Sequence, residues 1–210
     1  MAQNTSHAVM AQRKEPLDSL DDFPTPPWAT RALIEEVFSN YWKDKFRQQT
    51  CLEPACNRGY MSKVLLEYFL QVSSSDVNDY GCGYGVSNFL DETILFPTHD
   101  WIITNPPFKK AEEFICRALE TSRFGVAMLT RTSFLEGVGR FNRLFNENAP
   151  TFVAQFSERV PMVKGRYDPK ASTATSYCWL VWMHDRIGEG TEMLWIPPCR
   201  KRLEKETDYE

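Results

Sequence analysis

The chain has 210 residues, 42% of them hydrophobic and 25% charged, and a formal net charge of −4. Those fractions are those of a soluble globular protein with one domain large enough to bury a core. No apolar run approaches the ~18 residues of a membrane span, and the net negative charge argues against a sequence-blind binder of nucleic acid held by electrostatics alone.

In chain order, residues 1–20 lack the apolar centre of a secretory signal and read as a flexible polar arm. Residues 21–198 read as a single domain, and the charged stretch 199–210 as a mobile tail. Helical spacing of Trp28, Ala32, Ile34, Val37, Phe38 and Tyr41 predicts a helix over 26–41, with prolines at its start where a helix tolerates them. A short strand is expected over 50–53, a helix over 61–70 and a second strand over 72–77. A glycine-rich connection, 81–85, leads to a weakly signalled third strand somewhere in 86–95.

Residues 100–104 read as a strand, 110–119 as a helix, 124–129 as a buried strand and 135–145 as a helix. Aromatic and β-branched residues mark strands over 152–156 and 177–183, joined by a long loop over 158–175. Alternating strand and helix predicts an α/β fold: an open, mostly parallel seven-stranded sheet with helices on both faces and an antiparallel strand near the C-terminus.

The six cysteines form no CxxC pair and only three histidines accompany them. They read as reduced, mostly buried thiols of a cytoplasmic protein, with no metal site.

The apolar run Trp101-Ile102-Ile103-Thr104 ends directly in Asn105-Pro106-Pro107-Phe108. Asn105 and Pro106 each precede a proline, which biases both towards extended backbone. Neither proline has an N–H, so the loop offers mostly acceptors: the Asn105 side-chain oxygen and backbone carbonyls. Phe108 adds an apolar plate of the size of a base. Two acceptors beside an aromatic plate suit an exocyclic NH2 on a flat ring.

Ligands of open α/β sheets bind at the carboxyl ends of the strands. There the sequence places Glu53, Pro54, Ala55 and Gly59, a loop that lets backbone approach a ligand closely. Asp76, ending the second strand, can accept from ribose hydroxyls, with Asp79 as the nearby competitor. Asn88 and Phe89 can meet an adenine by its edge and its face.

By these motifs the chain resembles the S-adenosylmethionine-dependent amino-methyltransferases, and within them the small phage and prophage DNA adenine-N6 methyltransferases. The match runs from Phe23 to Trp182 and includes Phe23-Pro24-Thr25-Pro26-Pro27-Trp28 and Ser172-Thr173-Ala174-Thr175. The resemblance implies S-adenosylmethionine as cofactor and adenine in DNA as target. Phe23, Pro24 and Thr25 would border its methionine end, Glu53, Pro54, Ala55 and Gly59 would lie beneath it, Asp76 would hold the ribose, and Asn88 and Phe89 the adenine. Asn105, Pro106, Pro107 and Phe108 would be catalytic. Two positions depart from the family pattern: Asn57 stands in for a glycine and Asn88 for an aspartate.

Lys109, Lys110, Arg159, Lys164, Arg166 and Lys170 are the candidate phosphate contacts, alternative to a merely solvated surface. The same corner admits other planar amines: adenine in RNA, cytosine N4 in DNA, or a glutamine amide in a protein. A catalytically degenerate binding module is the alternative outside enzymes. The oligomeric state is left open, with a monomer allowed.

Overall fold

The computed structural model describes residues 21–38, 40–168 and 173–209. Helix α1, Pro27–Ala32, starts on a proline, which has no N–H to lose in the first turn, and all six of its residues are buried. A π-helical turn, Leu33–Val37, follows and stops at Phe38, which is extended (φ −88°, ψ 135°). Helix α2, Asn40–Phe46, then restarts. The sequence predicts one continuous helix here. The break turns the Phe38 ring onto Phe46 and Trp101, at centroid distances of 5.0 and 5.2 Å, and that aromatic burial outweighs the helical hydrogen bonds given up.

The remaining elements are β1 (Thr50–Glu53), α3 (Tyr60–Leu65), β2 (Gln71–Asp76), β3 (Gly85–Val86), β4 (His99–Thr104), α4 (Ala111–Thr121) and β5 (Ser122–Arg131). They continue with α5 (Val138–Arg140), β6 (Phe152–Phe156), β7 (Tyr177–Met183), β8 (Glu192–Ile196) and α6 (Arg200–Leu203). Among the described residues these strands form one eight-stranded sheet in the order β3-β2-β1-β4-β5-β7-β6-β8. Only β7 runs against its neighbours: it is antiparallel to β5 and β6, whereas β8 lies parallel to β6.

The buried strands sort their side chains by the two-residue period of a pleat. Trp101 and Ile103 of β4, with Trp179 and Val181 of β7, enter the core that also holds Trp28 and Leu33. Ile102, Leu180 and Trp182 enter the opposite core, against Phe114, Ile115 and Phe134. The buried indole N–H groups of Trp101 and Trp179 donate to Gln49 Oε1 and the Ala29 carbonyl, at 2.9 and 3.0 Å. These bonds tie the sheet to the first helical layer.

The α/β fold expected from the sequence is present, with corrections. The third strand is only Gly85–Val86, and residues 87–95 form turns instead of continuing it. The helix expected over 135–145 is divided into a 3-10 turn, α5 and a π-helical turn, because Gly137 (φ 123°) interrupts it. Strand β8 adds an eighth member beyond the seven expected. The stretch 199–210, read as a mobile tail, carries α6 and a 3-10 turn through residue 209. It docks on α1 through Asp208, whose carboxylate receives two hydrogen bonds from the buried Arg31, at 2.8 and 2.6 Å. Among the described residues, no helix is long and apolar enough to cross a membrane.

Candidate active site

The strand order reverses between β1 and β4, and their carboxyl ends deliver Glu53 and Asn105 to the crevice expected of such a switch point. A cleft of about 460 Å³ opens there, within the range of small-molecule sites. Phe23, Pro24, Thr25, Glu53, Pro54, Ala55, Asp76, Asn88, Phe89, Asn105 and Pro107 all line it, as do Lys109 and Lys110. Segments far apart in sequence, from Phe23 to Lys110, thus meet in one cavity.

Gly59 does not line the cleft but shapes it. It precedes α3 in the left-handed region (φ 79°), and a Cβ there would collide with the Tyr84 ring. Asn57 is also left-handed (φ 51°), a conformation Asn tolerates better than other side chains. Its oxygen accepts from the Arg58 N–H at 2.8 Å, and its amide donates to Asp22 at 2.7 Å. Arg58 pairs with the same Asp22 at 2.7 Å, and the Asp22 carbonyl accepts from the Gly165 N–H at 2.8 Å. The residue standing in for a glycine therefore fastens residues 21–25 across the mouth of the cleft.

Asp76 is buried at its wall. Its two oxygens accept from the backbone N–H groups of Asn57 and Asn78, at 2.9 and 3.0 Å. Burial raises its pKa, with those N–H groups pulling the other way. Each oxygen keeps a second lone pair for a hydroxyl donor. Asp79, the competitor, is exposed, turns its carboxylate onto the Gly81 N–H at 2.7 Å and does not line the cleft. Asn88 accepts from the Leu90 N–H at 3.1 Å, which leaves its NH2 as the group that can meet a ligand. Phe89 forms wall, its ring packed on Phe96 and Phe114.

Glu53 is fully enclosed, and Ser62 donates to its carboxylate; burial, with the charge of Asp76 nearby, pushes its pKa from 4.5 to about 8. The folded protein thus holds a proton that the unfolded chain has released between those two values, and stability falls as pH rises through that window. Glu53→Gln, which is uncharged throughout, is expected to remove the decline. Urea unfolding near pH 5 and near pH 8.5 checks it: the wild type should lose several kcal/mol more than the variant, and equal losses would place the titration elsewhere.

The amide of Asn105 is oriented by residues 21–25. Its Nδ2 donates to the Phe23 carbonyl at 3.2 Å and to Thr25 Oγ1 at 3.0 Å, while its Oδ1 is buried with no hydrogen-bond partner. Because both acceptors hold the nitrogen, the oxygen is the atom left to receive a donor. A buried acceptor without a donor costs about 1–3 kcal/mol; a ligand amine would recover that energy.

Pro106 and Phe108 turn away from the main cleft and line an adjoining pocket of about 150 Å³ with Arg131, Phe134 and Arg140. The Phe108 ring lies 5.2 Å from Phe23 and 6.3 Å from Tyr177, and the Arg131 guanidinium covers it at 3.8 Å. The face of the Phe108 ring thus already carries a cation.

The basic residues are less concentrated than the sequence suggests. Lys110 pairs with Glu113 at 3.2 Å and Arg166 with Asp168 at 3.3 Å. Lys164 sits near Asp22, because the neighbouring Gly165 N–H donates to the Asp22 carbonyl, and Arg159 lies apart, bonded to the Ala174 carbonyl at 3.0 Å. Lys170 lies outside the described residues. Among the described residues no group of His, Cys, Asp or Glu could hold a metal ion. Sequence reasoning missed Asp22, Arg131 and Met162, whose sulfur accepts from Asn105 Nδ2 at 3.7 Å. Each acts through a partner distant in sequence, and no local pattern signals it.

No protein-family model matches the chain, and no curated protein matches it by sequence. Solved structures do. A candidate RNA methyltransferase from Pyrococcus horikoshii superposes with a TM-score of 0.59 at 16% identity, over 80% of this chain and 89% of that one. A type I restriction-modification methyltransferase subunit from Streptococcus thermophilus gives 0.59 at 12% identity, over 91% of this chain; this chain spans 50% of that one. A candidate class I S-adenosylmethionine-dependent methyltransferase from Listeria monocytogenes gives 0.56 at 13% identity, over 82% of this chain and 65% of that one. The fold is that of the class I methyltransferases.

Proposed function

We propose that this protein transfers a methyl group from S-adenosylmethionine to the exocyclic N6 amine of adenine in DNA. One observation carries the reading: Asn105 presents a buried, unpartnered Oδ1 beside two prolines and an aromatic plate, at the edge of a cofactor-sized cleft.

The cleft fits the cofactor by the chemistry of its lining. Asp76 offers lone pairs to ribose hydroxyls, Asn88 offers an amide to an adenine edge, and the wall of Phe89 and Leu90 is apolar. When bound, the cofactor supplies an electrophilic methyl on a cationic sulfur. Asn105 Oδ1 and the Pro106 carbonyl accept the two hydrogens of the target amine. That draws the nitrogen lone pair out of conjugation with the ring and fixes its direction. Phe23 and Thr25 keep the Asn105 amide from turning its nitrogen to the substrate. This is positioning with preorganised electrostatics, and it needs no strong base, since the amine becomes acidic as it gains the methyl group. Phe108 stacks on the base, which must first leave the duplex at a cost of a few kcal/mol. Lys109, Lys110, Arg159, Lys164 and Arg166, with Lys170, are assigned to phosphate contacts.

The likeness to a restriction-modification subunit supports DNA as the target; that to a candidate RNA methyltransferase makes RNA the rival to test. Methyl transfer from labelled cofactor to unmethylated duplex DNA, with ribosomal RNA in parallel, decides between them. N6-methyladenine in the DNA supports the proposal; label confined to the RNA overturns it.

Asp76→Ala is expected to weaken cofactor binding at least tenfold, about 1.4 kcal/mol by calorimetry. Unchanged affinity would mean that another group holds the ribose.

A further inference from the structure

A second, open groove of about 910 Å³ begins at the carboxyl end of β5 and runs to the sheet edge at β8. It shares Arg131 with the catalytic corner, where that guanidinium covers Phe108, so Arg131 stands between the two. Arg159 stands on its wall, and Met193 and Trp195 form its far end. Leu194 and Ile196 of β8 turn to the core, but Met193 and Trp195 are 53% and 68% exposed. Of its two carboxylates, Glu158 is spent on the N–H groups of Cys199 and Arg200, at 2.6 and 2.7 Å; Glu136 remains, at an exposed position. Two guanidinium groups and a bare indole in one trough are the elements of a single-strand nucleic-acid path: cations for the backbone and a plate on which any base can stack.

We propose that this groove holds the unpaired strand adjoining the target nucleotide, with Trp195 stacking on a neighbouring base and Arg131 and Arg159 on its phosphates. The inference rests on the methyltransferase reading above and extends it. Entry of the target base onto Phe108 displaces Arg131 towards the strand, so the residue that covers the plate in the free protein becomes a backbone contact in the complex.

The test uses the full chain and a labelled single-stranded oligonucleotide of about 12 nucleotides with one adenine, within the site sizes of such grooves. Trp195→Ala alters an exposed side chain, so the variant is expected to fold. Its dissociation constant for the oligonucleotide, by fluorescence anisotropy, should rise ten- to a hundredfold, and S-adenosylmethionine affinity should stay unchanged. The oligonucleotide should also quench tryptophan emission in the wild type and much less in the variant, because Trp28, Trp101, Trp179 and Trp182 are fully buried and Trp42 does not line the groove. A wild type that methylates DNA, with a variant that binds and methylates equally well, overturns the groove and leaves the methyltransferase reading standing. A wild type that neither binds nor methylates nucleic acid overturns both. Loss of self-association in the variant, by sedimentation, with oligonucleotide binding intact, assigns the face to a second copy of the chain and overturns the inference.

Discussion

Asn105→Ala is expected to lower methyl transfer by a factor on the order of 10²–10³ or more, with S-adenosylmethionine affinity nearly unchanged. The substitution removes a buried oxygen at the cleft that lacks a donor in the free protein. The Pro106 carbonyl remains, so one hydrogen of the amine is still held, but the nitrogen is no longer fixed by two acceptors. The loss falls on kcat because the missing hydrogen bond strengthens as the nitrogen acquires charge, whereas the cofactor contacts lie on other residues. Removing the amide also frees the Thr25 hydroxyl and the Phe23 carbonyl, both of which can be met by water in the emptied space. Turnover near the wild-type value would refute the role assigned to this corner.

The second large effect concerns stability. Arg31 sits inside α1 with its side chain only 4% exposed. It gives two hydrogen bonds to Asp208, two to Glu67, at 3.0 and 2.6 Å, and one to the Leu203 carbonyl at 2.8 Å. A guanidinium with five donors is suited to this junction and a lysine is not. Arg31→Ala leaves the equally enclosed Asp208 with only the Lys205 N–H. Breaking a buried pair on one side costs about 3–5 kcal/mol. Urea unfolding should show a loss of that size. Adding Asp208→Leu should recover much of it, because the stranded charge is then gone as well. A single variant as stable as the wild type would show that the C-terminal segment contributes nothing to the fold.

The two effects separate what the sequence discloses from what it hides. Strands β6 and β7 end where the sequence places them, because aromatic and β-branched runs bounded by polar loops leave little choice. The cleft is legible for a related reason: Glu53 and Asp76 end parallel strands and Asn105 directly follows one, and parallel strands bring their carboxyl ends together. Strand β8 is hidden because Met193 and Trp195 are more than half exposed, so its pattern reads as stray apolar residues after two glycines. The docking of the C-terminal segment is hidden because its composition is that of a solvated tail. What fixes it is a guanidinium 177 residues earlier in the chain. The tie between Asn57 and Asp22 is hidden in the same way: a departure from a glycine pattern looks like damage until its partner is seen.

Phe108 shows the limit most clearly. Its type and position announce a stacking plate, yet Arg131 covers it from the far end of β5. That placement depends on the register of β5 against β4 and β7, which no local window contains.

The most direct test of the account is methyl transfer by wild type and Asn105→Ala to the same unmethylated duplex DNA, with nucleosides resolved after digestion and cofactor binding measured on both proteins. The account predicts N6-methyladenine from the wild type, almost none from the variant, and equal cofactor affinity. Methylated product from the variant at the wild-type rate, or a wild type that binds the cofactor and methylates no planar amine, would contradict it.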